Sequence, residues 1–201
     1  LRAHTEARLD APTTAGSSVS RCELREVGFD GDDLAWNPLA GEHVMSGTTI
    51  ITSLPPVKPD VVIAQIFHEG LTADVAAIRT QLVSGTIRLR FRFNGVSVTS
   101  PQLSASYAVG TEFSWRLRVV NGVVEVYWAF GSALPGSPQI TTASIPAGVC
   151  YFKAGLYNQS NVAAGDAGTA IGASELRALS VVHAGPTAPP PEFDTFLPFF
   201  I

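Results

Sequence analysis

The chain has 201 residues, 46% of them hydrophobic and only 15% charged, with 18 Gly and 14 Pro. A single domain of this length buries roughly 70% of the surface its unfolded chain exposes, so folding requires neither a metal nor a disulfide. The net charge of −4 argues against a general nucleic-acid binder. No run of about 18 apolar residues offers a helical membrane span.

The opening LRAHTEARLD has neither an initiator Met nor the basic-then-apolar pattern of a signal peptide. A leader, or more of a longer protein, is therefore expected upstream. RCELREV (21–27) alternates, with Arg21, Glu23 and Arg25 on one face and Cys22, Leu24 and Glu26 on the other. The two cysteines, Cys22 and Cys150, form either one bridge or a pair of small buried hydrophobes. His43, in GEHVMSG, reads as structural or turn-associated, and His4 and His183 lie near the domain ends with no site pattern around them.

AQIFHEG (64–70) sets a glutamine and a histidine in an apolar, strand-like run. In a regular strand Gln65 and Phe67 share one face, and Ile66 and His68 share the other. ADVAAIRTQL (73–82) suits a helix, and equally a strand or a short turn. TIRLRFRF (86–93) places Ile87, Leu89, Phe91 and Phe93 against Thr86, Arg88, Arg90 and Arg92. FSWRLRVVNGVVEVYW (113–128) is two β-rich runs around Asn121-Gly122, a strong hairpin signal. CYFKAGLYNQ (150–159) carries Tyr151, Lys153, Gly155, Tyr157 and Gln159 on one face and Cys150, Phe152, Ala154 and Leu156 on the other.

From Gly185 the composition changes to GPTAPPPEFDTFLPFFI. The Pro-rich part is a stiff spacer, and its apolar end is expected to be buried against something. The organisation is thus one β domain, 1–184, followed by a tail, 185–201. Short alternating strands separated by turn-rich segments predict an all-β fold, a jelly roll or sandwich of two antiparallel sheets. The strand faces turned from the core carry Arg, Lys, Glu, Tyr and Gln. A concave face bearing Arg21, Arg25, Arg88, Arg90, Arg92 and Lys153 suits an extended polyanion, because the guanidinium fork binds carboxylate bidentately. No clustered His or carboxylate set suggests a metal, and no cofactor is expected.

Three segments together resemble motifs of the alginate lyases of polysaccharide lyase family 7. RCELR (21–25) is similar to the family's R-(S/T)-E-L-R. QIFH (65–68) is similar to Q-(I/V)-H with one residue added. YFKAGLYNQ (151–159) matches Y-F-K-A-G-x-Y-x-Q throughout. The resemblance implies a jelly roll that binds an acidic polysaccharide and cleaves it by β-elimination, removing the C5 proton beside a carboxylate and expelling the 4-O-linked sugar.

It implies roles as well. Gln65 and an arginine of the first motif, Arg21 or Arg25, neutralise the carboxylate. His68 and Tyr157 share the work of base and acid. Lys153 assists the phenol or binds a neighbouring uronate. Glu23, Tyr151, Asn158, Gln159, Arg88, Arg90 and Arg92 contribute to substrate binding. The isoleucine of QIFH leans, by family habit, towards guluronate-containing chains.

The added residue in QIFH sets a structural expectation: a β-bulge at Ile66–Phe67 that returns His68 to the face of Gln65. In the competing reading His68 turns away, Phe67 takes its place and Tyr157 serves as both base and acid. Family members begin some tens of residues earlier, so missing strands, or a second chain completing the sandwich or docking the tail, are expected. Two functions of different class stay open: a secreted polysaccharide lyase, and a non-catalytic carbohydrate-binding or structural jelly-roll module.

Overall fold

A computed structural model describes residues 3–8, 18–28, 31–71, 73–94, 98–99 and 101–185. The expectation for the apolar tail falls on residues outside these. Among the described residues, twelve strands, numbered in chain order, form two antiparallel sheets of six. The first sheet runs β1 (Ala3–Arg8), β12 (Ile171–Ala184), β3 (Glu42–Ser53), β8 (Glu112–Val120), β9 (Val123–Phe130) and β10 (Ile140–Ser144). The second runs β2 (Arg21–Arg25), β11 (Cys150–Asn158), β4 (Val61–His68), β5 (Ala73–Val83), β6 (Thr86–Asn94) and β7 (Val98–Thr99). This is the two-sheet jelly-roll sandwich that the alternation predicts.

The local chemistry explains the elements. Asn121 and Gly122 both take positive φ, 48° and 84°, the backbone that a two-residue hairpin between twisted strands demands. Inward residues of the two sheets interdigitate: Met45, Ile51, Phe113, Trp115 and Leu117 from the first meet Phe91, Phe93, Phe152 and Leu156 from the second. Full burial of each such side chain contributes roughly 1.5–3 kcal/mol, which makes this layer the main source of stability.

The segment 73–82 is strand, and its helix-like pattern has a structural origin. Ala76 pairs with Ile66 but Asp74 pairs with Phe67, so Val75 is an extra residue in β5. Val75 and Ala76 both join the core as a result, and two successive inward residues break the period of two.

Cys22 lies opposite Leu156 and Cys150 opposite His68, far apart along β11, and both are free thiols. The bridge is therefore excluded; Cys150 is a small buried hydrophobe, and Cys22 is partly buried against the core. Burial pushes the Cys150 thiol up to about 12.

Candidate active site

Residues directly opposite each other in adjacent strands share a face. One row across the second sheet is Arg25, Lys153, Gln65, Ala77 and Arg92. A second row is Arg21, Tyr157, Val62, Arg79 and Arg90. Glu23 faces Gly155 between these rows on β2 and β11, and Tyr151, Phe67 and Asp74 form a third row beyond Gln65. The outer face of this sheet thus gathers most of the site residues expected from the sequence.

Glu23 organises its centre. The Gln65 side-chain amide donates a hydrogen bond to the Glu23 carboxylate, and Arg21 Nη1 lies 3.9 Å from the other carboxylate oxygen. Burial raises the Glu23 pKa above the usual carboxylate range, opposed by Lys153, Arg21 and the Gln65 hydrogen bond. Burial also lowers the Lys153 pKa; Glu23 counters this, while Arg21 and Arg25 add to it. An amide nitrogen has two protons, so Gln65 keeps one donor beyond the bond to Glu23.

Arg21 reaches further, its guanidinium carbon 4.3 Å from the centre of the Tyr157 ring. Arg25 occupies a different place. It contacts Asp33 at 3.1 Å and Glu69 at 3.8 Å, and it covers the Tyr151 ring at 3.8 Å. Of the two motif arginines, Arg21 is therefore the one beside the phenol of Tyr157. Gly155 permits this layout: at φ 141°, a Cβ there would run into the Cys22 carbonyl and approach Glu23 Cα to 2.9 Å. The absence of a side chain brings β2 against β11 where Glu23 must sit.

Beyond Gln65 the face becomes aromatic. The Phe67 and Tyr151 rings stack with centroids 5.2 Å apart. Lys153 Nζ lies 4.7 Å from the centre of the Phe67 ring and 5.4 Å from that of Tyr151. Burial raises the Tyr151 pKa, with Arg25 opposing.

Two expectations are corrected here. His68 does not return to the face of Gln65. From Ala64 to His68, β4 pairs without interruption against Ala154 to Cys150, so Gln65 and Phe67 point outward and Ile66 and His68 inward. His68 is 3% exposed, packed beside Gly148 and Gly70, and its Nδ1 accepts a hydrogen bond from the Leu71 amide at 3.3 Å. The bulge in β4 exists but lies earlier. Val62 pairs with Arg79 and Ala64 with Ile78, leaving Ile63 as the added residue. Ile63 and Ala64 both enter the core, so Val62 and Gln65, three apart, share the outer face.

The second correction is Asn158. It follows Tyr157 and so points to the opposite face, where its Nδ2 donates to the Ala7 carbonyl at 2.8 Å and to Ser20 Oγ at 2.9 Å. It ties β11 to β1 of the other sheet and is closed to substrate. Gln159, just past the strand, donates to the Asn158 carbonyl at 3.0 Å.

The arginines of β6 lie on the outer face as expected. Arg92 pairs with Asp74 and Arg88 bonds Gln102. Arg79, which reasoning from the sequence missed, joins them and pairs with Asp60. It was hidden in the segment whose period a bulge had disrupted. Phe67 was visible, since strict alternation already puts it beside Gln65.

On a jelly-roll sandwich, donors and a phenol set around a carboxylate suit the binding and cleavage of a sugar acid, the chemistry of a polysaccharide lyase. The comparisons agree. The alginate lyase family model Alginate_lyase2 matches residues 3–183. The alginate lyase AlgAT5 of polysaccharide lyase family 7 superposes with a TM-score of 0.77 at 36% identity, covering 90% of this chain and 77% of that one. An alginate lyase from Corynebacterium sp. gives 0.76 at 30% identity, covering 90% and 76%. The alginate lyase PA1167 from Pseudomonas aeruginosa, at 23% identity, shares the fold with a TM-score of 0.74 over 90% of this chain and 82% of that one. A search among curated proteins found no significant match. The chain belongs to the alginate lyase family.

Proposed function

We propose that the outer face of the second sheet binds alginate or a related polyuronate and cleaves it by β-elimination, with Tyr157 as the proton-transferring group. The observation that carries this reading is the placement of Arg21 over the Tyr157 ring, with Gln65 and Glu23 beside it.

The chemistry follows from these positions. The C5 proton is poorly acidic while the neighbouring carboxylate is ionised. Arg21 and the remaining N–H of Gln65 bind that carboxylate and stabilise the charge that develops on it. Glu23 does not touch substrate; it fixes the Gln65 amide and balances Arg21 and Lys153. Tyr157 Oη takes H5 as the C5–H electrons form the C4=C5 double bond. The C4–O4 bond breaks, and the same hydroxyl returns the proton to the leaving oxygen. Lys153, Arg25 and the β6 arginines supply positive charge along the face for neighbouring uronates. An extracellular setting suits a polymeric substrate of this kind.

The inward turn of His68 favours the second reading, a non-catalytic carbohydrate-binding module, because it removes one of two expected proton-transferring groups. The ultraviolet absorbance of the new C4=C5 bond decides between them. A steady rise on mixing with polyuronate establishes a lyase. Binding with no rise establishes the module and rejects our reading.

A further inference from the structure

Phe67 stands two residues beyond Gln65 on the outer face, in the position that one inserted residue has denied to His68. Among the described residues, no free acid or base replaces the imidazole there. Asp74, opposite Phe67, is held by Arg92. Tyr151 is 6% exposed and capped by Arg25, and the Lys153 ammonium rests against both aromatic rings. A sugar whose carboxylate meets Gln65 and Arg21 therefore has the Tyr157 hydroxyl on one side and a hydrocarbon ring on the other.

Stereochemistry turns this asymmetry into a choice of substrate. In 4-linked β-D-mannuronate and β-D-glucuronate, H5 and O4 project from the same face of the pyranose ring. One hydroxyl placed on that face reaches both atoms. In α-L-guluronate H5 and O4 project from opposite faces, so the proton must be taken from the side away from the leaving oxygen. A group that serves the leaving oxygen is out of hydrogen-bond reach of that proton.

We propose that Phe67 is a specificity-determining residue that confines this chain to uronate polymers with H5 and O4 on one ring face, excluding runs of guluronate. The inference rests on the lyase reading above and runs against the lean towards guluronate taken from the isoleucine of QIFH. The bond changes are those of the elimination itself. The proton leaves C5 for Tyr157 Oη and passes to O4, with no further reactant.

The test is a substrate panel of polymannuronate, glucuronan and polyguluronate, read by the absorbance of the new double bond. The wild-type chain is expected to cleave one or both of the first two at least about a hundredfold faster than polyguluronate, the scale of a missing proton-transfer group. Phe67→His is expected to raise the guluronate-to-mannuronate rate ratio about tenfold or more. Phe67→Leu, which brings no titratable group, should keep the wild-type ratio. Polyguluronate cleaved by the wild type as fast as polymannuronate overturns the specificity while leaving the lyase reading intact. An unchanged ratio in a folded Phe67→His protein, or a shift of the same size in Phe67→Leu, overturns the assignment to Phe67. No cleavage of any of the three overturns both readings, and if Phe67→His fails to fold, the wild-type panel and Phe67→Leu still decide.

Discussion

His43 and His183 meet through their Nδ1 atoms, 2.7 Å apart, at one end of the sandwich. Only one proton fits between two ring nitrogens. His43 Nε2 donates to the carbonyls of Ala40 and Asn37 at 2.9 and 3.2 Å, and His183 Nε2 bonds the buried Glu26 carboxyl group. Glu26 also accepts from Trp36 Nε1 at 3.2 Å and from the Phe152 amide at 2.8 Å, and Trp36 stacks on His43. The two rings and Glu26 thus bond β3, β12 and the end of β2 to β11, whose next residue is Lys153. A further proton on the rings would set N–H against N–H.

Acid should therefore loosen the fold. Burial lowers the His43 pKa below its ordinary value, reinforced by His183 and opposed by the two carbonyl hydrogen bonds and by Glu26. Below about pH 6.5 the unfolded chain then binds more protons at this position than the folded one, so stability falls as pH falls. Melting temperature followed from about pH 7.5 to 5.5, above the range where most carboxylates titrate, should drop in the wild type and drop less in His43→Gln. A flat wild-type profile would show that this cluster does not exclude the extra proton.

Tyr157→Phe keeps the ring beneath Arg21 and removes only the hydroxyl. Turnover should fall by a factor on the order of 10² to 10⁴, with polymer affinity little changed. Comparable turnover in the variant would exclude Tyr157 as the proton-transferring group.

His68→Ala should leave turnover within a few-fold of wild type, because the imidazole lies on the inner face among Cys150, Gly148 and Gly70. Its cost should appear in stability, roughly 1–3 kcal/mol by denaturant unfolding. A fall in turnover by orders of magnitude in a folded variant would return His68 to the chemistry.

Gly155→Ala should cost more than an ordinary strand substitution, about 2–4 kcal/mol, since its Cβ meets backbone atoms of β2 at a φ that L residues avoid. The displaced strand carries Arg21 and Glu23, so activity should fall in the fraction that remains folded. Wild-type stability and activity together would mean that the two strands have slack at this point.

Much of the fold was legible because burial follows parity in a strand. Phe91 and Phe93 enter the core while Arg90 and Arg92 do not, and the run 86–93 shows this at a glance. Arg21, Glu23, Lys153, Tyr157 and Gln65 were legible for the same reason, each in a regular stretch. The failures cluster at bulges. Ile63 and Val75 are invisible as bulges because both are ordinary β-branched core residues with no glycine to mark them. They hid Arg79 and made 73–82 ambiguous. The Glu26–His183–His43 network was out of reach for another reason: its members lie at distant positions in the chain, the pairing of β3 with β12 brings the two histidines together, and Glu26 reaches them from the other sheet.

The bulge at Ile63 precedes Gln65, and its position has a consequence for how such a catalyst changes over time. From the amide to the strand's end, β4 runs against β11 with no bulge, so gaining or losing one codon in that stretch exchanges what faces solvent for what faces oil. Point substitution must build a second acid–base group in place, whereas excising Phe67 alone would carry the imidazole next in line across the sheet. Shifts in which sugar is cut can therefore arrive in a single genetic step, through slippage in length and with no change in the identity of any surviving residue.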